Sequence, residues 1–577
     1  MCDTSDSDHD HSHEHSAGQH CCSLGEDYER NLAEQRKHQV TRRDVLRAVG
    51  ASGLLIASGT INAGSVFAAD TPAGAAEQPT RLYSPLGAGE FDGFYYLSGD
   101  HHIHTRYSSD AKYAVQRQVA EANHHGLGWM VITDHGSGAH NKISVDLTYP
   151  DIQQARDVFK NMLVFVGLEM NIPGAEHGTV MLEPNAQEKD QIKQFEAAYD
   201  GRIAPNTEEQ AIAGLKFLDG YSPKPLFFAN HPARNGLDSP HEIRNWKAAA
   251  PEIAVGFEGA PGHQAAGLIR DQDGKFVAYR GFYGNKPEAT SWPGYPLESY
   301  FTYGGFDWMT AKLGGLWDSL LGDGMRWWIT ANSDSHKYFN DLQDVDNTQF
   351  DAQGYVSEVD KYFQRPTYGD FRPGEYSRTY VIADQATHAG VMEALRAGHS
   401  FVVLGDLIDR LKFVIATTDG HGQHAGDTTT AGMGDTLTVK PGGTVHVTMS
   451  VRVPATPNWF NQRPMVDHID LIGGDVTHPS QTAGADTFTN PSTRVLATYS
   501  RGRWKTKESA EGLVLTMTYT LHNIQQDGYL RLRGTNTHDR SATPPMDPDM
   551  RGQTGTAQSP WDDLWFYSNP VFIRVVP

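Results

Sequence analysis

Five times in this chain a short apolar run ends in a residue suited to binding metal. Phe94-Tyr95-Tyr96-Leu97 leads into Asp100-His101-His102-Ile103-His104. Trp129-Met130-Val131-Ile132 leads into Thr133-Asp134-His135, and Leu163-Val164-Phe165-Val166 into Gly167-Leu168-Glu169. Leu226-Phe227-Phe228-Ala229 leads into Asn230-His231-Pro232, and Trp327-Trp328-Ile329 into Asn332-Ser333-Asp334-Ser335-His336. In a parallel α/β barrel the residues just past the strand ends converge on one face, and that face holds the active site. The five runs therefore read as the walls of one pocket lined by His, Asp and Glu.

The local pattern around these runs supports parallel strands. Residues 114–125 carry Val115, Val119 and Ala122 at helical spacing, and Gly126 stands where such a helix would stop. The next apolar run follows at once, so this is a strand–helix–strand unit. The same logic repeats at Val391-Met392-Glu393-Ala394-Leu395, with Gly398 as the stop and Phe401-Val402-Val403-Leu404 as the strand. Glu252-Ile253-Ala254-Val255-Gly256-Phe257 is a further strand ending at Glu258. The stretch between His231 and Asp334 is longer than one strand–helix step needs. Within it, residues 259–324 are rich in Gly, Pro, Tyr and Trp and read as an insertion roofing the pocket.

A chain of 577 residues is too long for one ordinary domain, so two or three are expected. The pocket region spans 94–411. From about 419 to 577 the texture changes to period-two alternation, as in Val445-His446-Val447-Thr448-Met449-Ser450-Val451 and Leu513-Val514-Leu515-Thr516-Met517-Thr518-Tyr519. Turns at Pro441-Gly442-Gly443 and Asp527-Gly528 separate such runs, which predicts an antiparallel β-sandwich without catalytic residues.

At the other end, Thr41-Arg42-Arg43-Asp44-Val45-Leu46-Arg47 is a twin-arginine pattern. A Gly/Ala-rich apolar stretch and the small-residue site Val66-Phe67-Ala68-Ala69 follow. Ser58, Thr60, Asn62 and Ser65 make that stretch too polar for a membrane anchor. Residues 1–69 therefore read as a His-rich leader and a removed export signal, and 70–93 as a linker. The expected partner is the twin-arginine export machinery, and the expected destination is periplasmic or extracellular. No later apolar run is long enough to span a membrane. Cys2, Cys21 and Cys22 all precede the twin arginines, so the mature protein would offer no thiolate ligand. The formal charge of -22 argues against a general nucleic-acid partner, which needs a basic footprint.

The chemistry rests on nine residues: His102, His104, Asp110, His135, Glu169, His177, His231, Asp334 and His336. His102 and His104, like Asp334 and His336, stand two apart and point the same way on extended chain. Glu169 ends an apolar run, where a bare carboxylate is costly to bury without a partner or metal. His231 precedes Pro232, which favours extended backbone. Nine nitrogen and oxygen donors exceed the needs of one cation and suit two or three, with a bridging carboxylate. Paired cations generate hydroxide near neutral pH and clamp both oxygens of a displacement.

The ordered set Asp-x-His-x-His, Thr-Asp-His, Gly-x-Glu, a following His, His-Pro and Ser-Asp-x-His resembles the PHP (polymerase and histidinol phosphatase) superfamily. The resemblance covers roughly residues 94–411. It implies a distorted (β/α)7 barrel with a trinuclear Zn, Mn or Fe centre and, usually, phosphate ester hydrolysis. By position it implies one metal on His102, His104, Glu169 and Asp334. A second would sit on Glu169, His177 and His231, and a third on Asp110, His135 and His336. The long insertion, β-rich tail and export signal also look like the branch that includes carbaryl-type carbamate hydrolases.

The expected function is a metal-dependent phosphoesterase, with Glu169, Asp334 and His336 catalytic and a bridging hydroxide as nucleophile. The first alternative is a hydrolase of small-molecule esters or carbamates on the same centre. The second is a metal-storing or envelope binding protein without catalysis. Arg106, Arg234 and Lys337 each follow a ligand motif and could hold a phosphate oxygen. His263 and Glu258, at the start of the insertion, could touch the pocket, His263 as a further substrate contact.

Overall fold

The computed structural model describes residues 91–576, except 92, 263–268, 271–275, 279–284, 339–342, 363–369, 418–429, 478–485 and 548–558. The leader, the twin arginines, most of the linker and His263 lie outside the described residues.

The first strand, β1 (Tyr95–Asp100), is followed by helix α1 (Val115–His124). The expected stripe of Val115, Val119 and Ala122 is buried. Gly126 takes a φ of +77, the left-handed turn a helix exit favours. Strand β2 (Trp129–Ile132) pairs in parallel with β1. Helix α2 (Val145–Val158) then leads to β3 (Leu163–Asn171), which is parallel to β2.

At β3 the direction changes. Strand β4 (His177–Leu182) runs antiparallel to β3, with Glu169 opposite Thr179. Residues 172–176 are too few for a parallel crossover, which needs about a dozen. Helices α3 (Glu188–Tyr199) and α4 (Glu208–Asp219) precede β5 (Leu226–Ala229), again antiparallel to β4. Helix α5 (Pro240–Ala249) begins with a capping box between Ser239 and Glu242. Parallel pairing then resumes from β5 to β6 (Ala254–Ala260). After the short helix α6 (Leu316–Gly322), β7 (Trp328–Ala331) pairs in parallel with β6.

On the opposite edge, β8 (Ser377–Ala383) is antiparallel to β1. Helix α7 (His388–Ala397) lies where the sequence places one, and Gly398 at φ +78 ends it. Strand β9 (Ser400–Leu404) then pairs antiparallel with β8, not parallel as the strand–helix–strand reading predicts. The helix leaves and re-enters at the same end of β8, where Ile382 N–H bonds His399 O. It serves as a long hairpin connection.

The paired strands run β7-β6-β5-β4-β3-β2-β1-β8-β9. The two distant ends of this order are drawn together. Ile103 and Ser335, just past β1 and β7, form a parallel bridge. The Thr379 hydroxyl on β8 accepts from Ala331 N–H and donates to Ala331 O, both at 2.8 Å. This curl gathers the ends of β1, β2, β3, β5 and β7.

The C-terminal region contributes an antiparallel sheet in which Arg410–Thr417, Gly443–Pro454 and Gly512–Ile524 are successive neighbours. Further C-terminal strands extend the main sheet, since Trp565–Ser568 pairs with β9. Among the described residues, one pairing departs from the antiparallel expectation. Thr436–Val439 lies parallel to Val571–Val575.

Among the described residues, aromatics of the insertion that would form a roof pack into the core instead. Tyr295, Tyr303, Phe306 and Trp308 are buried in the core. Trp292, Tyr295 and Trp308 pack around Phe488, and Phe306 lies 4.2 Å from Tyr567, ring to ring. Their partners come from the C-terminal region, far along the chain. Trp327 and Trp328 are core residues. Among the described residues no helix is long and apolar enough to cross a membrane.

Candidate metal centre

The gathered strand ends bring the predicted ligands together. His102 and His104 emerge just beyond β1, with buried Ile103 between them. Their side chains share a face, and the two Nε2 atoms lie 3.0 Å apart. Asp100 ties this end to the end of β7. Its carboxylate accepts from His102 N–H at 3.1 Å and from Ser333 N–H at 3.0 Å. Burial pushes its pKa up to about 7, against those hydrogen bonds.

Glu169, on β3, is the hub. Its Oε1 lies 3.1 Å from His102 Nε2, 3.2 Å from His177 Nδ1 and 3.1 Å from His231 Nε2. Its Oε2 lies 3.2 Å from His104 Nε2 and 2.7 Å from His135 Nδ1. Asn230 donates to Oε1 at 3.0 Å while its own oxygen accepts from Thr179 N–H at 3.1 Å. One buried carboxylate thus faces five imidazoles. Oε2 and His135 Nδ1 make no hydrogen bond despite their closeness.

Asp334 is shared in the same way. Its Oδ1 is 3.2 Å from His102 Nε2, 3.3 Å from His104 Nε2 and 3.4 Å from His336 Nδ1. Asp110 reaches in from the loop after His104, 3.3 Å from His135 Nε2 and 3.7 Å from His336 Nε2. His231 and Asp334 have φ values of +30 and +46, a region that costs non-glycine residues about 1–3 kcal/mol. For His231 this replaces the extended backbone expected before Pro232. Its N–H is held by Glu258 Oε2 at 2.8 Å and its ring by Glu169, so site contacts override the local preference.

Neighbouring acceptors orient the imidazoles. His102 Nδ1 lies 2.7 Å from Glu258 Oε1, and a carboxylate can only accept, so that nitrogen carries the proton. Ser108 Oγ donates to Asp134 at 3.0 Å and so accepts from His104 Nδ1 at 2.9 Å. His336 Nδ1 donates to Asp334 O at 2.9 Å. In each case Nε2 is left for the cluster, the arrangement found around metal-ligating histidines.

Among the described residues, four groups have donor atoms close enough to share an ion: His104, His135 and His336; His102, His104 and Asp334; His135, Glu169 and His177; and Glu176, His177 and His231. These residues fit divalent cations. The donors are nitrogen and oxygen, as suits Zn, Mn or Fe. Two Nε2 atoms at 3.0 Å, each with its Nδ1 already committed, want a shared cation or a proton. Glu176 is an addition that sequence reasoning missed. It precedes the predicted His177, and only the fold brings it 3.7 Å from His231 Nδ1. Glu258 joins the site through His102 and the His231 backbone.

Protons compete for the same positions. Burial opposes charge on His102, but Asp334, Glu169 and Glu258 outweigh it and hold its pKa well above the usual value. His135 is likewise buried, yet Asp110 and Glu169 raise it to about 10. Glu169 shifts down despite burial, because His102, His177 and His135 surround it. Cation uptake must therefore release protons.

Two of the expected substrate residues, Arg234 and Arg106, have their guanidinium groups engaged with the protein. Arg234 Nη1 pairs with Glu176 Oε1 at 3.3 Å. Arg106 Nη2 donates to Val356 O at 3.0 Å, and its guanidinium sits 4.8 Å from the centre of the Tyr355 ring. Lys337 N–H bonds Asp370 Oδ2 at 3.0 Å, beside His336 N–H on the same oxygen.

A comparison with protein families accords with the ligand pattern. The family model described as "PHP domain" matches residues 100–221. No curated protein matches this chain. Among solved structures, Endonuclease Q in complex with a 27-mer duplex substrate bearing an abasic lesion is similar at 16% identity with a TM-score of 0.18. That similarity covers 28% of this chain and 42% of the other, so this chain spans less than half the length of that structure. Residues 100–221 carry a PHP domain holding His102, His104, Asp110, His135, Glu169 and His177, and His231, Asp334 and His336 complete the cluster from beyond it.

Proposed function

We propose that this protein is a metal-dependent hydrolase acting on small-molecule phosphate esters. The observation that carries the reading is Glu169, buried against His102, His104, His135, His177 and His231 at 2.7 to 3.2 Å. Two or three divalent cations, Zn, Mn or Fe, would supply Lewis acidity and a hydroxide near neutral pH. Glu169 and Asp334 would each hold the shared side of the cluster, and His336 or Asp334 would hand a proton to the leaving group. Asp110 would close the side toward solvent, where it is half exposed. Arg234 would leave Glu176 for a phosphate oxygen.

A second reading is an ester or carbamate hydrolase of the carbaryl type. Arg234 favours it, since its pairing with Glu176 weakens any pull on an anionic substrate. The same proposal takes 94–411 as a distorted (β/α)7 barrel, the C-terminal strands as a sandwich, and the protein as exported.

The test is purified protein loaded with Mn, Zn or Fe and assayed on phosphomonoester, phosphodiester and aryl-carbamate chromogens. Turnover of a phosphoester above the carbamate supports the first reading, and the reverse order supports the second. No turnover of any chromogen by fully loaded protein would overturn both and leave metal storage or binding.

A further inference from the structure

Glu258 lies on β6 and has no accessible surface. Its two oxygens face two different parts of the cluster. Oε1 accepts from His102 Nδ1 at 2.7 Å. Oε2 accepts from the backbone N–H of His231 at 2.8 Å. His102 belongs with His104 and Asp334 in one donor group, and His231 with Glu176 and His177 in another. Glu258 itself belongs to none of the four groups. His101 Nε2 is 3.6 Å from Oε1 and Thr330 Oγ1 is 3.4 Å from the same imidazole, so protein groups back the carboxylate.

We propose that Glu258 is a positioning residue that holds two neighbouring cation sites in register, and is not itself a ligand. This rests on the metal-dependent reading above. Two physical steps support it. A carboxylate bonded to Nδ1 sets the tautomer, aims Nε2 at the cation and makes that nitrogen a better donor. The second oxygen acts on a backbone position that is otherwise unfavourable. His231 sits at φ +30, and its N–H bond to Glu258 helps keep the ring against Glu169. One side chain thereby fixes the ring of one ligand and the main chain of another. Glutamine in its place can accept at only one oxygen, because its amide nitrogen only donates. One of the two ligands must then lose its support, with no change in side-chain size.

The test is direct titration of metal-free protein with Mn or Zn alone, comparing wild type, Glu258→Gln and Asp110→Asn. Loss of an outer partner of a metal-bound histidine weakens affinity by about 10–100-fold. The expected result for Glu258→Gln is a loss of that size in two binding steps, with the melting temperature of the metal-free protein nearly unchanged. Asp110→Asn should weaken a different step, because Asp110 touches His135 and His336 and not His102 or His231. Equal affinities for wild type and Glu258→Gln would overturn the proposal while leaving the metal-dependent reading intact. A wild-type protein that takes up no cation would overturn both. A second measurement needs no variant. In crystals of the Mn-loaded wild type, anomalous peaks should stay beyond bonding range of Glu258. A peak within about 2.5 Å of its oxygens would make it a ligand and refute the positioning role.

Discussion

Arg531 and Asp318 form a buried two-bond pair, with Nε to Oδ1 at 2.9 Å and Nη2 to Oδ2 at 2.8 Å. Asp318 lies on α6, in the insertion before the last ligand strand, and Arg531 lies on the strand Gly528–Thr535. The guanidinium also stacks 4.8 Å from the centre of the Trp317 ring. The pair joins the segment leading into β7 to the C-terminal sheet. Asp318→Ala would leave the arginine charge buried, which costs about 3–5 kcal/mol. Urea unfolding should move the midpoint down accordingly. A shift below about 1 kcal/mol would mean that water reaches the cation.

Glu169→Gln tests the hub. Glutamine keeps the size but loses the charge that balances five imidazoles. Bound metal per chain, read by elemental analysis, should fall, and turnover should drop by orders of magnitude with the circular dichroism spectrum preserved. A variant retaining more than about a tenth of wild-type turnover would exclude Glu169 as a bridge.

Acid stability should report on His388. Burial, with Arg156 nearby, lowers its pKa to about 4, and its ring packs 4.7 Å from Phe165. The unfolded state binds a proton near pH 6.5 that the folded state refuses until about pH 4. Stability from this residue is therefore present above about pH 6.5 and lost as pH falls toward 4. In metal-free protein, His388→Gln should bind up to about one proton fewer on unfolding in that window. Unchanged pH dependence would show that His388 titrates normally.

Tyr295→Ala separates a core role from a lid. The hydroxyl donates to Asp238 O at 2.7 Å and the ring meets Trp292, Trp308 and Phe488. Removing a buried aromatic costs about 3–5 kcal/mol. The expected variant melts at lower temperature with an unchanged ranking of substrates. A changed ranking with an unchanged melting temperature would restore the lid.

Export can be tested apart from the fold. Replacing Arg42 and Arg43 with Lys should leave the protein in the cytoplasm, as fractionation and blotting would show. Undiminished periplasmic or extracellular protein would refute the twin-arginine reading.

Eight of the nine candidate residues were legible because each sits within a few residues of an apolar strand run, and Asp110 because it follows the His104 motif; all these features are local. Helix α1, its glycine stop and the parallel β1–β2 pair were legible for the same reason. Strand direction elsewhere was not. The α7 pattern looks the same whether the chain crosses the sheet or returns to the same end, and only the pairing of β8 with β9 decides. The aromatics of the insertion found partners in Phe488 and Tyr567, which no local window contains. Glu176 carried no local mark either, and Glu258 was marked only as the end of an apolar strand run. Their roles come from His231, which draws on both through space. Local periodicity determines which residues are strand, helix or turn, because it follows from backbone geometry over a few residues. Which strand ends meet, and which carboxylate backs which imidazole, depends on contacts between distant segments, and those exist only after the sheet has curled.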